Sequence, residues 1–134
     1  MTDFKELGVN NELCKAIEEL GFKKPTEVQK ESIPFLLTEN EDLIALAQTG
    51  TGKTAAFGLP AIQQVDVENK NVQVIILCPT RELCIQICKD LESYSKYVKG
   101  VKLISVYGGT NIETQIKSLK KGVQIVVGTP GRTK

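Results

Sequence analysis

Eight consecutive residues, Ala47-Gln48-Thr49-Gly50-Thr51-Gly52-Lys53-Thr54, carry what a phosphate-binding loop needs. Gly50 and Gly52 permit tight curvature and close approach of the chain, so that backbone N–H groups can converge on phosphate oxygens. Lys53 can reach the β- and γ-phosphates, and the Thr54 hydroxyl can ligate Mg²⁺. A helix starting near Gly52 would aim the positive end of its dipole at the same anion. The competing reading is a glycine turn between strand and helix with its lysine in solvent; strand context, spacing and the GKT triplet all argue against it. Ala47 stands where the first glycine of the general signature falls, which predicts a less extreme entry to the loop.

A phosphate loop does not choose a base, so Gly21 to Gln29, GFKKPTEVQ, bears on that question. Two readings compete. In one, Phe22 anchors a core and Gln29 closes a capping box with Thr26. In the other, the Gln29 amide accepts from the adenine amino group and donates to the adjacent ring nitrogen, while Phe22 stacks on the base. Spacing alone favours the first.

These residues need a frame. Leu13, Ile17 and Leu20 fall at helical spacing, with Gly21 where a left-handed cap would sit. A second helix begins at Thr26 and carries Val28, Ile33, Leu36 and Leu37, with a kink expected at Pro34. Asp42 to Ala47 reads as a short buried strand feeding the loop. The helix after Gly52 should end early or irregularly, because Gly58 and Pro60 interrupt it. A polar connection, Asp66 to Asn71, precedes the strand Val72 to Cys78, whose apolar run predicts cover on both faces. Leu83, Ile87, Leu91, Tyr94 and Val98 form the stripe of the next helix. Val101 to Tyr107 is a third strand, and Thr110 with Glu113 caps a helix carrying Ile112, Ile116 and Leu119. Gln124 to Val127 is a fourth strand. Strands alternating with helices predict an α/β fold: a parallel sheet with helices on both faces, joined by right-handed crossovers.

Three further segments follow predicted strands, at the carboxyl edge where open α/β sheets bind their ligands. They are Pro79-Thr80-Arg81-Glu82-Leu83, Gly108-Gly109 and Thr129-Pro130-Gly131-Arg132. Helix N-termini after Thr80 and Gly109, with Arg81 and Arg132, can hold phosphates without reading bases. Taken singly, each arginine is more commonly a surface ion-pair residue.

Together, in order, these elements resemble the DEAD-box RNA helicases. GFKKPTEVQ resembles the Q motif, GFxxPTxxQ, with Phe4 as the isolated upstream aromatic, and AQTGTGKT is similar to motif I. PTREL resembles motif Ia, Gly108-Gly109 the double-glycine element, and TPGR motif Ib. The resemblance implies a RecA-like phosphate-loop fold, with residues 1–38 a Q-motif helical region and residues 39–134 a partial first RecA-like domain, within one compact domain. It implies ATP, ADP and Mg²⁺ as ligands, the nucleotide held by Phe4, Phe22, Lys24, Pro25, Gln29 and the loop Ala47 to Thr54, with Lys53 and Thr54 at the reacting phosphates. The partner would be single-stranded or duplex RNA, held through its backbone by Pro79, Thr80, Arg81, Gly108, Gly109, Thr129, Pro130, Gly131 and Arg132. A second RecA-like domain is implied as well.

The acidic run that names the family, Asp-Glu-Ala-Asp, does not occur among the 134 residues. The expectation is therefore divided. The parent protein would couple ATP hydrolysis to RNA unwinding or RNP remodelling, while this stretch alone would bind adenine nucleotide weakly and RNA backbone, turn over almost none, and, with an apolar sheet edge unpaired, be marginally stable or associate. A related DNA helicase, or a non-catalytic ATP-sensing RNA-binding module, are the alternatives from other classes.

Composition narrows the field. The charge of +1, from 17 basic and 16 acidic residues, provides no broad attraction for a polyanion, so any nucleic-acid contact must be local. The absence of histidine excludes Ser-His and Cys-His hydrolases within this chain. Cys14, Cys78, Cys84 and Cys88 form no CxxC pair and read as reduced, mostly buried thiols, which suits a cytoplasmic protein, the nucleus left open. No stretch is apolar enough for a membrane span, so no membrane partner is expected.

Overall fold

The computed structural model describes residues 2–39, 41–44, 52–107, 116–117 and 122–130. Within these lie five helices, α1 (Thr2–Glu6), α2 (Asn11–Glu19), α3 (Glu27–Thr38), α4 (Lys53–Gln63) and α5 (Arg81–Tyr94). Three strands accompany them: β1 (Val74–Leu77), β2 (Leu103–Val106) and β3 (Ile125–Gly128). The chain divides into two compact units, Met1–Gln64 with Ser93–Val98, and Val65–Glu92 with Lys99–Lys134.

In the first unit, local chemistry sets the helix ends. Asn10 caps α2 by accepting from the Leu13 N–H at 3.1 Å. The helix closes with Gly21 at a φ of +93°, in the left-handed conformation expected of it. Its buried stripe is Leu13, Cys14, Ala16 and Ile17, whereas Leu20, expected on that stripe, is exposed because it is the cap residue. Thr26 and Gln29 form the expected capping box at the head of α3. Pro34 lies inside α3, and α3 packs on α4.

Helix α4 departs from expectation by running through Gly58 and Pro60 to Gln63. Both interrupting residues are buried, as are Ala55, Ala56, Leu59 and Ile62. Tertiary burial of an apolar helix outweighs about 1 kcal/mol of glycine propensity and the hydrogen bond that proline removes. A second departure precedes it. Asp42–Ile44 form no strand, and Ile44 is 88% exposed. Among the described residues this segment has no ladder partner, and backbone groups without one do not hold a strand. The remainder of that predicted strand lies outside the described residues.

The second unit holds a parallel sheet in the order β1-β3-β2. Central β3, hydrogen-bonded on both sides, is buried at all four positions. The unbroken apolar run of Val72 to Cys78 predicted the same for β1, but Ile75 and Leu77 are each 59% exposed. β1 is the edge of the three described strands, and its alternate residues face away from cover. On α5, Ile87, Leu91 and Tyr94 are buried as expected, and Cys84 and Cys88 join them on the same face. Leu83 is 41% exposed, and Val98 lies beyond the helix. The connection 66–71 is exposed throughout, as expected, and polar except at Val67. The helix predicted from Thr110 lies outside the described residues apart from Ile116 and Lys117, which are helical.

All four cysteines are free and buried. Burial, then the hydrogen bond with Cys84, pushes the Cys78 thiol up to about 12. Burial, then the nearby Glu92 carboxylate, pushes Cys88 to about 11. These thiols are protonated packing groups.

Candidate functional sites

In the first unit the two sequence segments that suggested nucleotide chemistry meet directly. The Gln29 side-chain oxygen accepts from the Thr26 N–H at 2.9 Å, and its Nε2 donates to the Gly52 carbonyl at 3.2 Å. Gln29 is thus cap and bridge at once, and it is 2% exposed. Gly52 is the N-cap of α4, at a φ of +82° and with no side-chain cap. Among the described residues, only Ala56 of the first α4 amides is tied back, to the Gly52 carbonyl at 3.1 Å. The N–H groups of Lys53, Thr54 and Ala55 therefore stand at the helix head as unpaired intrahelical donors, the arrangement that favours an anion. Lys53 is exposed and Thr54 half-buried.

Lys53 also borders a mostly apolar cavity of about 300 Å³ against α3 and α4, whose walls include Val28, Leu36, Ala56 and Phe57. Lys24 and Pro25 line a second cavity of about 400 Å³ with Glu6, Leu7 and Lys30. Phe22 is half-buried between two rings, 6.2 Å from Phe4 and 5.9 Å edge-on from Tyr94. Phe4 itself is 0% exposed, so its ring supports Phe22 and has no free face to offer a ligand. Ala47, Gln48, Thr49, Gly50 and Thr51 lie outside the described residues.

In the second unit the strand register aligns the carboxyl ends. Leu77, Gly128 and Val106 are partners across the sheet. The chain continues the ladder beyond them, with the Cys78 N–H on the Gly128 carbonyl at 2.9 Å and the Thr129 N–H on the Val106 carbonyl at 3.0 Å. Pro79, Thr129 and Tyr107 consequently leave the sheet at one edge. Thr80 caps α5, its hydroxyl accepting from the Leu83 N–H at 3.2 Å. Pro79, Thr80 and Arg81 are exposed, as is Pro130. The Arg81 guanidinium lies 5.6 Å from the centre of the Tyr107 ring. Tyr107 escaped the sequence reading, where it counted only as the last residue of a strand. Gly108, Gly109, Gly131 and Arg132 lie outside the described residues.

Residues 26–134 match the sequence profile of the DEAD/DEAH box helicases. The chain belongs to this family. The ATP-dependent RNA helicase CshA of Listeria monocytogenes is 52% identical over 132 residues, which cover 98% of this chain and 25% of that helicase. The crystal structure of a DEAD box protein from Methanococcus jannaschii superposes with a TM-score of 0.92 at 45% identity, covering 98% of this chain and 35% of the other. Dbp5 of S. cerevisiae, solved bound to RNA and ADP BeF3, superposes at 0.86 with 33% identity, covering 99% and 33%. The chain thus spans about a quarter to a third of the DEAD-box relatives it matches. Its fold is that of a DEAD-box RecA-like domain, a parallel sheet flanked by helices and incomplete. No helix among the described residues is long and apolar enough to cross a membrane.

Proposed function

We propose that this chain is the nucleotide-binding and RNA-backbone-binding portion of an ATP-dependent RNA helicase. The observation that carries the reading is the Gln29 bridge, which joins the base-side segment to the head of the phosphate-loop helix within one unit. The α4 amides of Lys53, Thr54 and Ala55 receive phosphate oxygens, and the Lys53 ammonium neutralises the β- and γ-phosphates. Mg²⁺ fits the same place. The Thr54 hydroxyl is accessible beside Lys53, and no cluster of three acidic or soft ligands exists among the described residues to hold a metal without the phosphates. When bound it supplies further neutralisation of the outer phosphates.

Each Gln29 amide atom has one protein partner and retains capacity for a second, as an acceptor for the adenine amino group and a donor to the ring nitrogen beside it. Phe22 stacks on the base, backed by Phe4, and Lys24 with Pro25 borders it. Along the sheet edge, Pro79, Thr80, Arg81, Gly108, Gly109, Thr129, Pro130, Gly131 and Arg132 hold sugar-phosphate backbone without reading bases. A second RecA-like domain and the family's acidic residues, which lie outside these 134 residues, complete hydrolysis. The protein works in the cytoplasm.

Calorimetric titration of the full-length protein with ATP, ADP and GTP, and of RNA in the presence of ATP, tests this. ATP and ADP should bind more tightly than GTP, and RNA binding should depend on nucleotide. Equal affinity for GTP, or absence of RNA-stimulated ATP turnover, would sink the proposal.

A further inference from the structure

Helix α2 has an N-cap, Asn10, whose side chain accepts from Leu13, yet it cannot close a capping box by itself. The third position of the helix is Leu13, which is fully buried and has no acceptor for the Asn10 N–H. That acceptor comes from 53 residues away. The Gln63 oxygen, at the last residue of α4, takes the Asn10 N–H at 2.9 Å, and its Nε2 donates to the Gly8 carbonyl at 2.8 Å. The pattern mirrors Gln29, whose oxygen closes the α3 box and whose nitrogen reaches the Gly52 carbonyl at the other end of α4. Two glutamine amides therefore tie the two ends of one helix to the starts of its two predecessors.

The two ties have different consequences. The Gln29 tie acts where α4 meets phosphate. The Gln63 tie acts on Gly8–Asn10, the turn that follows α1, and the Leu7 and Val9 N–H groups of this turn bond to the Phe4 carbonyl at 3.1 and 3.2 Å. Phe4 is fully buried and backs Phe22. Losing Gln63 does not release α4 itself, because Gln64 separately donates to the Leu36 carbonyl at 2.7 Å.

We infer that Gln63 is a positioning residue for the base half of the nucleotide site, holding the Phe4 segment behind Phe22 from the far end of the phosphate-loop helix. This rests on the proposed function, in which Phe22 stacks on adenine. The effect is on ground-state binding of the base, so it enters KM and leaves kcat unchanged.

The test is steady-state RNA-stimulated ATP hydrolysis by the full-length protein, comparing wild type with Gln63→Met, which keeps length and loses both hydrogen bonds, and with Gln63→Glu, which keeps the acceptor for Asn10 and loses the donation to Gly8. For Gln63→Met, KM for ATP should rise about five-fold, the factor that one net hydrogen bond represents, at unchanged kcat. Gln63→Glu should shift KM in the same direction by less. A fall in kcat at constant KM would mean only a smaller folded fraction and would overturn the inference, as would an unchanged KM. Should Gln63→Met fail to fold, an unchanged KM in Gln63→Glu overturns it. Absence of ATP hydrolysis by wild type removes the proposed function itself, and this inference with it.

Discussion

The Nε2 of Gln29 donates to the Gly52 carbonyl at 3.2 Å, and a β-carbon at position 52 would run into that same nitrogen. Gly52 is therefore required twice, by its left-handed φ of +82° and by the amide beside it. Gly52→Ala should destabilise the protein by about 1–3 kcal/mol and displace Gln29. Denaturant unfolding reads the first effect and ATP titration the second. A variant that unfolds at the wild-type midpoint would show that neither constraint operates.

Under the proposed function Gln29 serves both stability and ligand, and its substitutions separate the two. Gln29→Glu keeps the acceptor for the Thr26 N–H but turns an acceptor oxygen toward the Gly52 carbonyl. It should retain most of the helix cap and lose ATP affinity. Gln29→Ala should lose both, with a cap contribution of about 1 kcal/mol. Wild-type ATP affinity in Gln29→Glu would reduce this residue to a helix cap.

Lys53→Ala should lower ATP affinity severely, by about two orders of magnitude or more, with little change in melting temperature, since the side chain is exposed. Calorimetry on the full-length protein measures the first, and a thermal scan the second. An affinity loss accompanied by an equal loss of folding would argue against a direct phosphate contact.

Arg81 rests over the Tyr107 ring, an arrangement that limits the guanidinium's freedom before any phosphate arrives. Arg81→Ala should weaken RNA binding uniformly across sequences and reduce the salt slope by about one. Tyr107→Leu should weaken binding less and leave the slope unchanged, because the charge remains. Fluorescence anisotropy across a salt series resolves the two. A change in sequence preference in Arg81→Ala would count against backbone recognition.

The raised thiols set an alkaline limit. An unfolded thiol titrates near its ordinary value of 9.0, whereas Cys78 holds its proton to about 12 and Cys88 to about 11. Above pH 9 the native chain thus binds more protons than the unfolded chain, and stability falls as pH rises toward 11 and 12. Below pH 9 both states are protonated and the contribution is fully present. Unfolding midpoints should decline from about pH 9 to about pH 11, less steeply in Cys78→Ala/Cys88→Ala. Identical slopes in the two proteins would remove the thiols as the cause.

Much of the site was legible because its signals are local. The Thr26–Gln29 box, the left-handed Gly21 and the helix start at Lys53 each depend on residues within a few positions of one another. The carboxyl-edge alignment of residues 78–81, 107 and 129 followed from strand order in an α/β fold. What sequence did not disclose is long-range. Gln63 lies in an apolar helix with nothing nearby to mark it, and its partners are more than 50 residues away. Apolar runs were equally silent on exposure: β1 and β3 read alike, but among the described strands only β3 has neighbours on both sides. Gly58 and Pro60 misled through propensity, which burial overrode. Spacing had favoured the capping role of Gln29, which the structure bears out, and was silent on the bond it makes to Gly52.

Because all four cysteines of these 134 residues are buried, this stretch presents no native thiol to maleimides and other thiol-directed dyes. One cysteine introduced at an exposed position such as Lys99 would then be the favoured site of attachment on these 134 residues without any native thiol being removed.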